Sequence, residues 1–285
     1  MERKRPPCDG VEHVPPAAAA AAGCGTRGRA VIAVQLYTIR ALLQDPSSLG
    51  GVLGRLREIG YRSVEVAGLG PAVVDRFGEE LKRADLIACA AHVPLERLTR
   101  DLDAVAAECR EWHCEYVVVP SVPERYRSEE GYRRFAQEAT ELSRRLKPSG
   151  LRLVYHNHAH ELERFGAQTG LDTMFSAATA DSLHAELDTY WLQFGGASPA
   201  AWIRRFKGRA PLVHLKDMAV DRGNPVDAEI GEGNLDWMDI LGACRDAGTT
   251  WLVVEQDNPR REPLESVAIS YANLTKLTAK LGWGG

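Results

Sequence analysis

Short β-branched runs alternate with longer amphipathic stretches eight times from Ala30 onward, and few folds accommodate that rhythm. The strand-like runs are Val31–Leu36, Ser63–Val66, Leu86–Ala91, Tyr116–Val119, Leu151–Asn157, His184–Leu187, Leu212–Leu215 and Trp251–Glu255. Most are nearly continuous in apolar residues, which suits strands buried on both faces in a parallel sheet beneath helices. Helical stretches fill the gaps. Ser48–Ile59 is stopped by Gly60, and Asp236–Ala247 by Gly248. Glu129–Lys147 places Tyr132, Phe135, Ala136, Ala139, Leu142 and Leu146 on one face, and Leu264–Leu281 is the last helix. Ser198-Pro199 supplies a cap and first-turn proline for the helix of Trp202, Ile203 and Phe206. Eight such units in about 250 residues predict an α/β chain folded as a single (β/α)8 barrel over 29–285. A doubly wound sheet would use about five or six strands.

Several strand-like runs end in chemistry rather than in turn residues. Leu151–Tyr155 leads into His156-Asn157-His158-Ala159-His160-Glu161, Asp188 follows Leu187, His214 lies within Leu-Val-His-Leu-Lys-Asp, and Glu255 closes Leu-Val-Val-Glu. In a barrel these positions gather at the C-terminal, functional face. Buried carboxylates and imidazoles cost several kcal/mol unless they pair or bind a cation. The set therefore predicts a metal centre of His156, Asp188, His214 and Glu255. Nitrogen and oxygen donors without a thiolate point to a divalent ion such as Mn, Mg, Co or Zn. Period-two parity turns Val154, His156 and His158 toward the axis and Tyr155 and Asn157 toward the helices. Glu186 shares the parity of Asp188, and Lys216 that of His214.

Each residue alone has a plainer reading: Asp188 as a helix cap, His214 as a satisfied core histidine, Glu255 as a partner of Lys216 or Arg260, and His160 and Glu161 as a solvated loop. Their coincidence on separate strands favours the metal. Further polar residues stand where substrate would enter. Gln35 and Tyr37 end the first strand, Glu65 lies in the second and His92 follows the third. Trp191, with Phe194, offers an apolar wall for a sugar face, although both suit a core. Glu232, between two glycines, offers a carboxylate to a polyol, although such a sequence also suits a simple turn.

The bulk properties exclude several classes. A formal charge of −4 and a pI near 6.1 give no electrostatic case for nucleic acid. No run approaches the roughly 18 apolar residues of a membrane span. Six cysteines without a CxxC pair suit reduced core residues in a cytoplasmic protein. Residues 1–28, with Pro6-Pro7, Pro15-Pro16 and an alanine tract, are expected to form a disordered tail. Ala-Ala-Gly-Cys ending at Cys24 faintly resembles a lipoprotein cleavage box, but the segment before it is alanine interrupted by acids and prolines.

Val34–Arg40, Tyr155–His158, Leu187–Trp191, Val213–Asp217, Gly231–Gly233 and Val254-Glu255 together resemble the sugar phosphate isomerase/epimerase superfamily, the xylose isomerase-like TIM barrels, over about Ala30 to Leu281. That group includes ketose 3-epimerases, inosose dehydratases and dehydroshikimate dehydratases. The resemblance implies a metal set of Glu, Asp, His and Glu from strands five to eight, the last three falling on Asp188, His214 and Glu255. The strand-five glutamate falls near Val154, so Tyr-His-Asn-His implies a branch that uses histidine there. Of the two glutamates that exchange a proton across the substrate in the epimerases, Glu255 alone has a counterpart.

The implied function is a divalent-metal-dependent isomerase or epimerase acting on a ketose or keto-sugar through an enediolate. On that reading Glu255 or His158 would remove the proton, with His156, Lys216 or Glu161 positioned to return one or to protonate a departing hydroxyl. The substrate would be a small sugar or cyclitol without phosphate, because no glycine-rich phosphate loop follows strands seven and eight. A dehydratase or lyase on a keto-inositol (inosose) or 3-keto-glycoside shares the first step. A non-catalytic sugar-binding barrel is the third reading, and a homo-oligomer is compatible with all three. A base-excision endonuclease would need a larger His/Glu set and a basic face.

Overall fold

The computed structural model describes residues 30–283, so the expected tail over 1–28, with Cys8 and Cys24, lies outside the described residues. Eight strands form the barrel: β1 (Val31–Gln35), β2 (Ser63–Val66), β3 (Ile87–His92), β4 (Tyr116–Val119), β5 (Arg152–His156), β6 (His184–Asp188), β7 (Leu212–Leu215) and β8 (Trp251–Val254). They close in the order β1-β8-β7-β6-β5-β4-β3-β2, and every neighbouring pair is parallel. Each expected strand is present, with ends within two residues of the sequence reading.

Alternation along the strands sorts side chains into two layers. In β5, Leu153 and Tyr155 join the apolar shell between strands and helices, while Val154 packs inside. The interior layer of Ala33, Cys89, Ala90, Tyr116, Val118, Val154, Leu212 and Val253 fills the axis with apolar atoms. In the pleats nearer the C-terminal ends, the inward positions become Gln35, Glu65, His156, Glu186, His214 and Glu255, all buried. The barrel thus raises its polar residues on an apolar plug.

The helices start and stop for identifiable reasons. Ser128 accepts a hydrogen bond from the Gly131 N–H at the head of Glu129–Leu146. Gly60 (φ 127°) and Gly248 (φ 79°) end Leu49–Ile59 and Trp237–Ala247 in conformations that favour glycine. Two small hairpins were not expected: Arg164–Phe165 with Gln168–Thr169, and Asp217–Asp221 with Asn224–Ala228. Cys89, Cys109, Cys114 and Cys244 are buried and free. Among the described residues, no helix is long and apolar enough to cross a membrane.

Candidate metal centre

His156, Asp188, His214 and Glu255 come from four consecutive staves, β5 to β8, and all are buried. One donor atom from each lies within 4.8 Å of the others. His214 Nδ1 is 2.8 Å from Glu255 Oε2 and 3.9 Å from Asp188 Oδ2. His156 Nε2 is also 3.9 Å from Asp188 Oδ2. Asp188 uses its other oxygen, Oδ1, to cap the helix Thr189–Phe194 by accepting the Trp191 N–H at 2.9 Å. The cap and the candidate ligand are therefore one residue with two oxygens. Asn157 Oδ1 accepts the Asp188 N–H at 3.1 Å and ties the ends of β5 and β6 together.

The residues fit a divalent cation on two counts. Asp188 Oδ2 is buried without a hydrogen-bond partner, a costly state that a cation would relieve. The surrounding charge is also unbalanced. Glu65, Glu186, Asp188, Glu255 and Asp257 face His92, His214 and Lys216. Burial, with repulsion from Glu255, pushes the Asp188 carboxyl up to about 7 against the pull of Lys216. Burial opposes charge on His92 and His214 too. Glu65 and Glu186 nevertheless hold His92 up to about 10, and Glu186, Glu255 and Glu65 hold His214 well above its ordinary value. His156 is pushed well down by burial and by His214. His158 is pushed down to about 3 by burial and Lys216, so it is a neutral imidazole. Oxygen and nitrogen donors without a thiolate suit Mn, Mg, Co or Zn.

A cavity of about 520 Å³ opens beside this centre. Tyr37, His92, His156, His158, Trp191 and Glu255 line it, together with Arg40, Asp257 and Asn258. The Trp191 ring lies 5.2 Å from that of His158 and supplies the apolar wall; Phe194 is half-exposed and is not among the residues lining it.

Other expected site residues lie elsewhere. Gln35 and Glu65 are fully buried beneath the centre, where Gln35 Nε2 donates to Glu65 Oε2 at 2.7 Å. Lys216 does not line the cavity. Its ammonium pairs with Asp257, with Glu255 at 3.6 Å, and lies 5.2 Å from the Trp191 ring. Burial opposes its charge, but Glu255, Asp188 and Asp257 hold it protonated, the form that returning a proton would require. Glu161 is not at the substrate but buried behind the turn after β5. It accepts the Tyr155 O–H at 2.5 Å and the His158 N–H at 2.9 Å. Burial pushes its carboxyl up to about 7. His160 is no solvated loop residue either, since its ring meets Ser121 Oγ at 3.2 Å and the Tyr132 hydroxyl at 3.1 Å. Glu232 is exposed and pairs with Arg261 at 2.9 Å, away from the cavity.

The reason Glu232 stays outside is Asp217. This buried carboxylate accepts the N–H groups of Met218, Gly231, Gly233 and Leu235 and the Trp237 indole N–H, drawing the loop inward from beneath. A Cβ on Gly233 would lie 2.3 Å from Asp217 Oδ1, so glycine is required for that approach. Val154, near which the resemblance put the strand-five ligand, sits in the apolar plug, and His156 occupies the donor position one pleat further on. Asp257 was missed, although it follows Glu255 by two residues and so shares its parity. Arg40 was missed as a cavity residue; its Nη1 joins the Tyr37 and Asp257 carbonyls at 2.9 and 3.0 Å.

Residues 53–276 match the family described as the xylose isomerase-like TIM barrel. Among curated proteins, the inosose dehydratase of Clostridium beijerinckii is 30% identical over 98 residues, 34% of this chain and 32% of that protein. The chain thus spans about a third of that relative's length in the match. A solved sugar phosphate isomerase/epimerase from Parabacteroides distasonis superposes with a TM-score of 0.73 at 20% identity, covering 87% of this chain and 98% of that one. The IOLI protein, solved with a bound zinc atom, superposes at 0.67 with 16% identity, covering 88% of this chain and 98% of its own.

Proposed function

The chain belongs to the xylose isomerase-like TIM barrel family, and on that footing we propose that it is a divalent-metal-dependent isomerase or epimerase of an unphosphorylated ketose or keto-sugar. The observation that carries this reading is the convergence of His156, Asp188, His214 and Glu255 beside a sugar-sized cavity, with Asp188 Oδ2 buried and unpartnered. A cation held there would act as a Lewis acid on the substrate carbonyl and a neighbouring hydroxyl, acidifying the adjacent C–H.

The protein's own groups handle the proton. Burial opposes ionisation of Glu255, but Lys216 and His214 hold its carboxyl well below the usual range, so it is anionic and able to accept. His158 faces the same cavity from β5, three staves around from β8, as a neutral imidazole that can accept or return a proton. Trp191 covers the apolar face of a sugar ring and excludes water from it. Glu255 and Asp257 on the wall repel a phosphate, which favours a neutral polyol.

A second reading, dehydration of a keto-inositol, is favoured by the likeness to an inosose dehydratase and by the histidine standing where the resemblance implies a second glutamate. Elimination needs one base and one acid rather than two matched bases. A third reading, sugar binding without chemistry, requires that no C–H exchange occur.

The test incubates metal-loaded and metal-stripped protein with ketoses and inososes in deuterated water. An epimer or isomer carrying deuterium supports the first reading. A product lacking one water supports the second, and binding without exchange the third. Full activity in metal-free protein overturns the metal-dependent reading.

A further inference from the structure

Beneath the candidate metal centre lies a second polar layer that the proposed chemistry does not use: Glu65 from β2 and Glu186 from β6, bridged by His92 from β3, which also lines the cavity. His156 and His214 touch both layers with opposite nitrogens. On the cavity side, His214 turns Nδ1 to Glu255 and Asp188, and His156 turns Nε2 to Asp188. On the inner side, His214 Nε2 lies 2.5 Å from Glu65 Oε2 and 3.2 Å from Glu186 Oε2. His156 Nδ1 lies 3.3 Å from the same Glu186 oxygen, outside hydrogen-bond geometry, and has no other partner. His92 Nε2 bridges the two carboxylates at 2.8 Å to Glu186 and 3.4 Å to Glu65.

These inner atoms could themselves be read as a cation site, since His92, His156, Glu186 and His214 also offer four donors within 4.8 Å. Distance argues otherwise. Bonds of about 2.1 Å in tetrahedral geometry hold donor atoms about 3.4 Å apart. On the inner side Glu65 meets His214 at 2.5 Å and Glu186 meets His92 at 2.8 Å, already paired as hydrogen bonds; on the cavity side Glu255 also meets His214 at 2.8 Å, but Asp188 Oδ2 stands 3.9 Å from both histidine nitrogens with no partner of its own. A histidine binding cations on both sides would also have to lose both ring protons. One nitrogen per ring is therefore free for a cation and the other must keep its proton.

We infer that Glu65 and Glu186 are positioning residues. Glu65 accepts the inner N–H of His214, and Glu186 is the carboxylate that the inner nitrogen of His156 faces at 3.3 Å, so the pair favours the tautomers that present His214 Nδ1 and His156 Nε2 to a cation. His92 and Gln35 hold the two carboxylates in place. The inference rests on the metal reading above, and it adds two carboxylates that touch neither substrate nor cation yet set the affinity for the cation. Partners of this kind orient ligating histidines, and losing one typically costs about 10–100-fold in metal affinity.

The test uses the full chain, stripped with a chelator and titrated with Co(II) alone, followed by visible absorption and chelator competition. Wild type is expected to bind one equivalent. Glu65→Leu and Glu186→Leu are expected to bind about 10–100-fold more weakly with unchanged far-ultraviolet circular dichroism. Glu65→Gln and Glu186→Gln, which keep an acceptor oxygen, are expected to lose less. Equal affinity in folded variants overturns the inference, and so does a second equivalent bound in wild type. Absence of any binding in wild type removes the metal reading itself and the inference with it. Should the variants fail to fold, Zn-loaded wild type labelled with 15N-histidine decides. The inference predicts a proton retained on His214 Nε2 and His156 Nδ1, and the opposite tautomers contradict it.

Discussion

Lys216→Met removes a buried ammonium that stands 3.6 Å from Glu255 and 4.0 Å from Asp188 and is in contact with Asp257. At an effective dielectric of about 20, each of the first two attractions is worth about 4 kcal/mol before desolvation is charged against it. Breaking a buried pair from one side usually costs about 3–5 kcal/mol, because the remaining charges stay uncompensated. For a barrel of this size that corresponds to a fall in Tm of roughly 6–20 °C.

The pH dependence separates this cause from simple loss of packing. Lys216 and His214 hold the Glu255 carboxyl well below its ordinary 4.5. Its stabilising contribution is therefore complete above the unfolded value and is lost as the pH falls through the folded one. Without the ammonium that depression shrinks. Asp188, held up to about 7, loses the same pull, so the variant's deficit should be largest near pH 7.5 and narrow toward pH 4 as that carboxyl is protonated in both forms. Urea unfolding of metal-stripped protein, followed by tryptophan fluorescence, reads both numbers. A deficit below about 1 kcal/mol at pH 7.5, or one that is the same at both pH values, would refute the reasoning.

Other substitutions test the neighbouring assignments. Asp217→Ala leaves four backbone N–H groups and the Trp237 indole without their acceptor. At about 1–3 kcal/mol for each buried orphan, a loss of at least about 3 kcal/mol in urea unfolding and earlier proteolysis within Gly231–Leu235 are expected. Glu232→Gln, on an exposed residue paired with Arg261, should change stability by less than about 0.5 kcal/mol and leave steady-state turnover at the wild-type level. Trp191→Ala should raise KM more than it lowers kcat, since it removes a wall of the cavity rather than a proton-carrying group.

The barrel was legible because period-two alternation and glycine stops are local signals, and eight repetitions leave little freedom. The same parity brought His156, Asp188, His214 and Glu255 to one place. What it could not supply was height along the axis or the path of the chain beyond a strand. Gln35 and Glu65 have the right parity but are fully buried and do not line the cavity. Glu161 follows His158 closely, yet a 3-10 turn at His160–Leu162 folds it back onto the Tyr155 hydroxyl. Lys216 points inward as expected, but its ammonium lies behind the cavity wall, against Asp257 and the rings of Tyr190 and Trp191. Each of these depends on contacts between residues far apart in sequence, which no local pattern encodes.

The central claim is that His156, Asp188, His214 and Glu255 hold one divalent cation. An anomalous difference map from crystals of Zn- or Mn-loaded protein tests it most directly. The account predicts a single strong peak about 2.0–2.2 Å from a donor atom of each of the four side chains. A map without that peak, or with its peak between His92 and Glu186 instead, would contradict it.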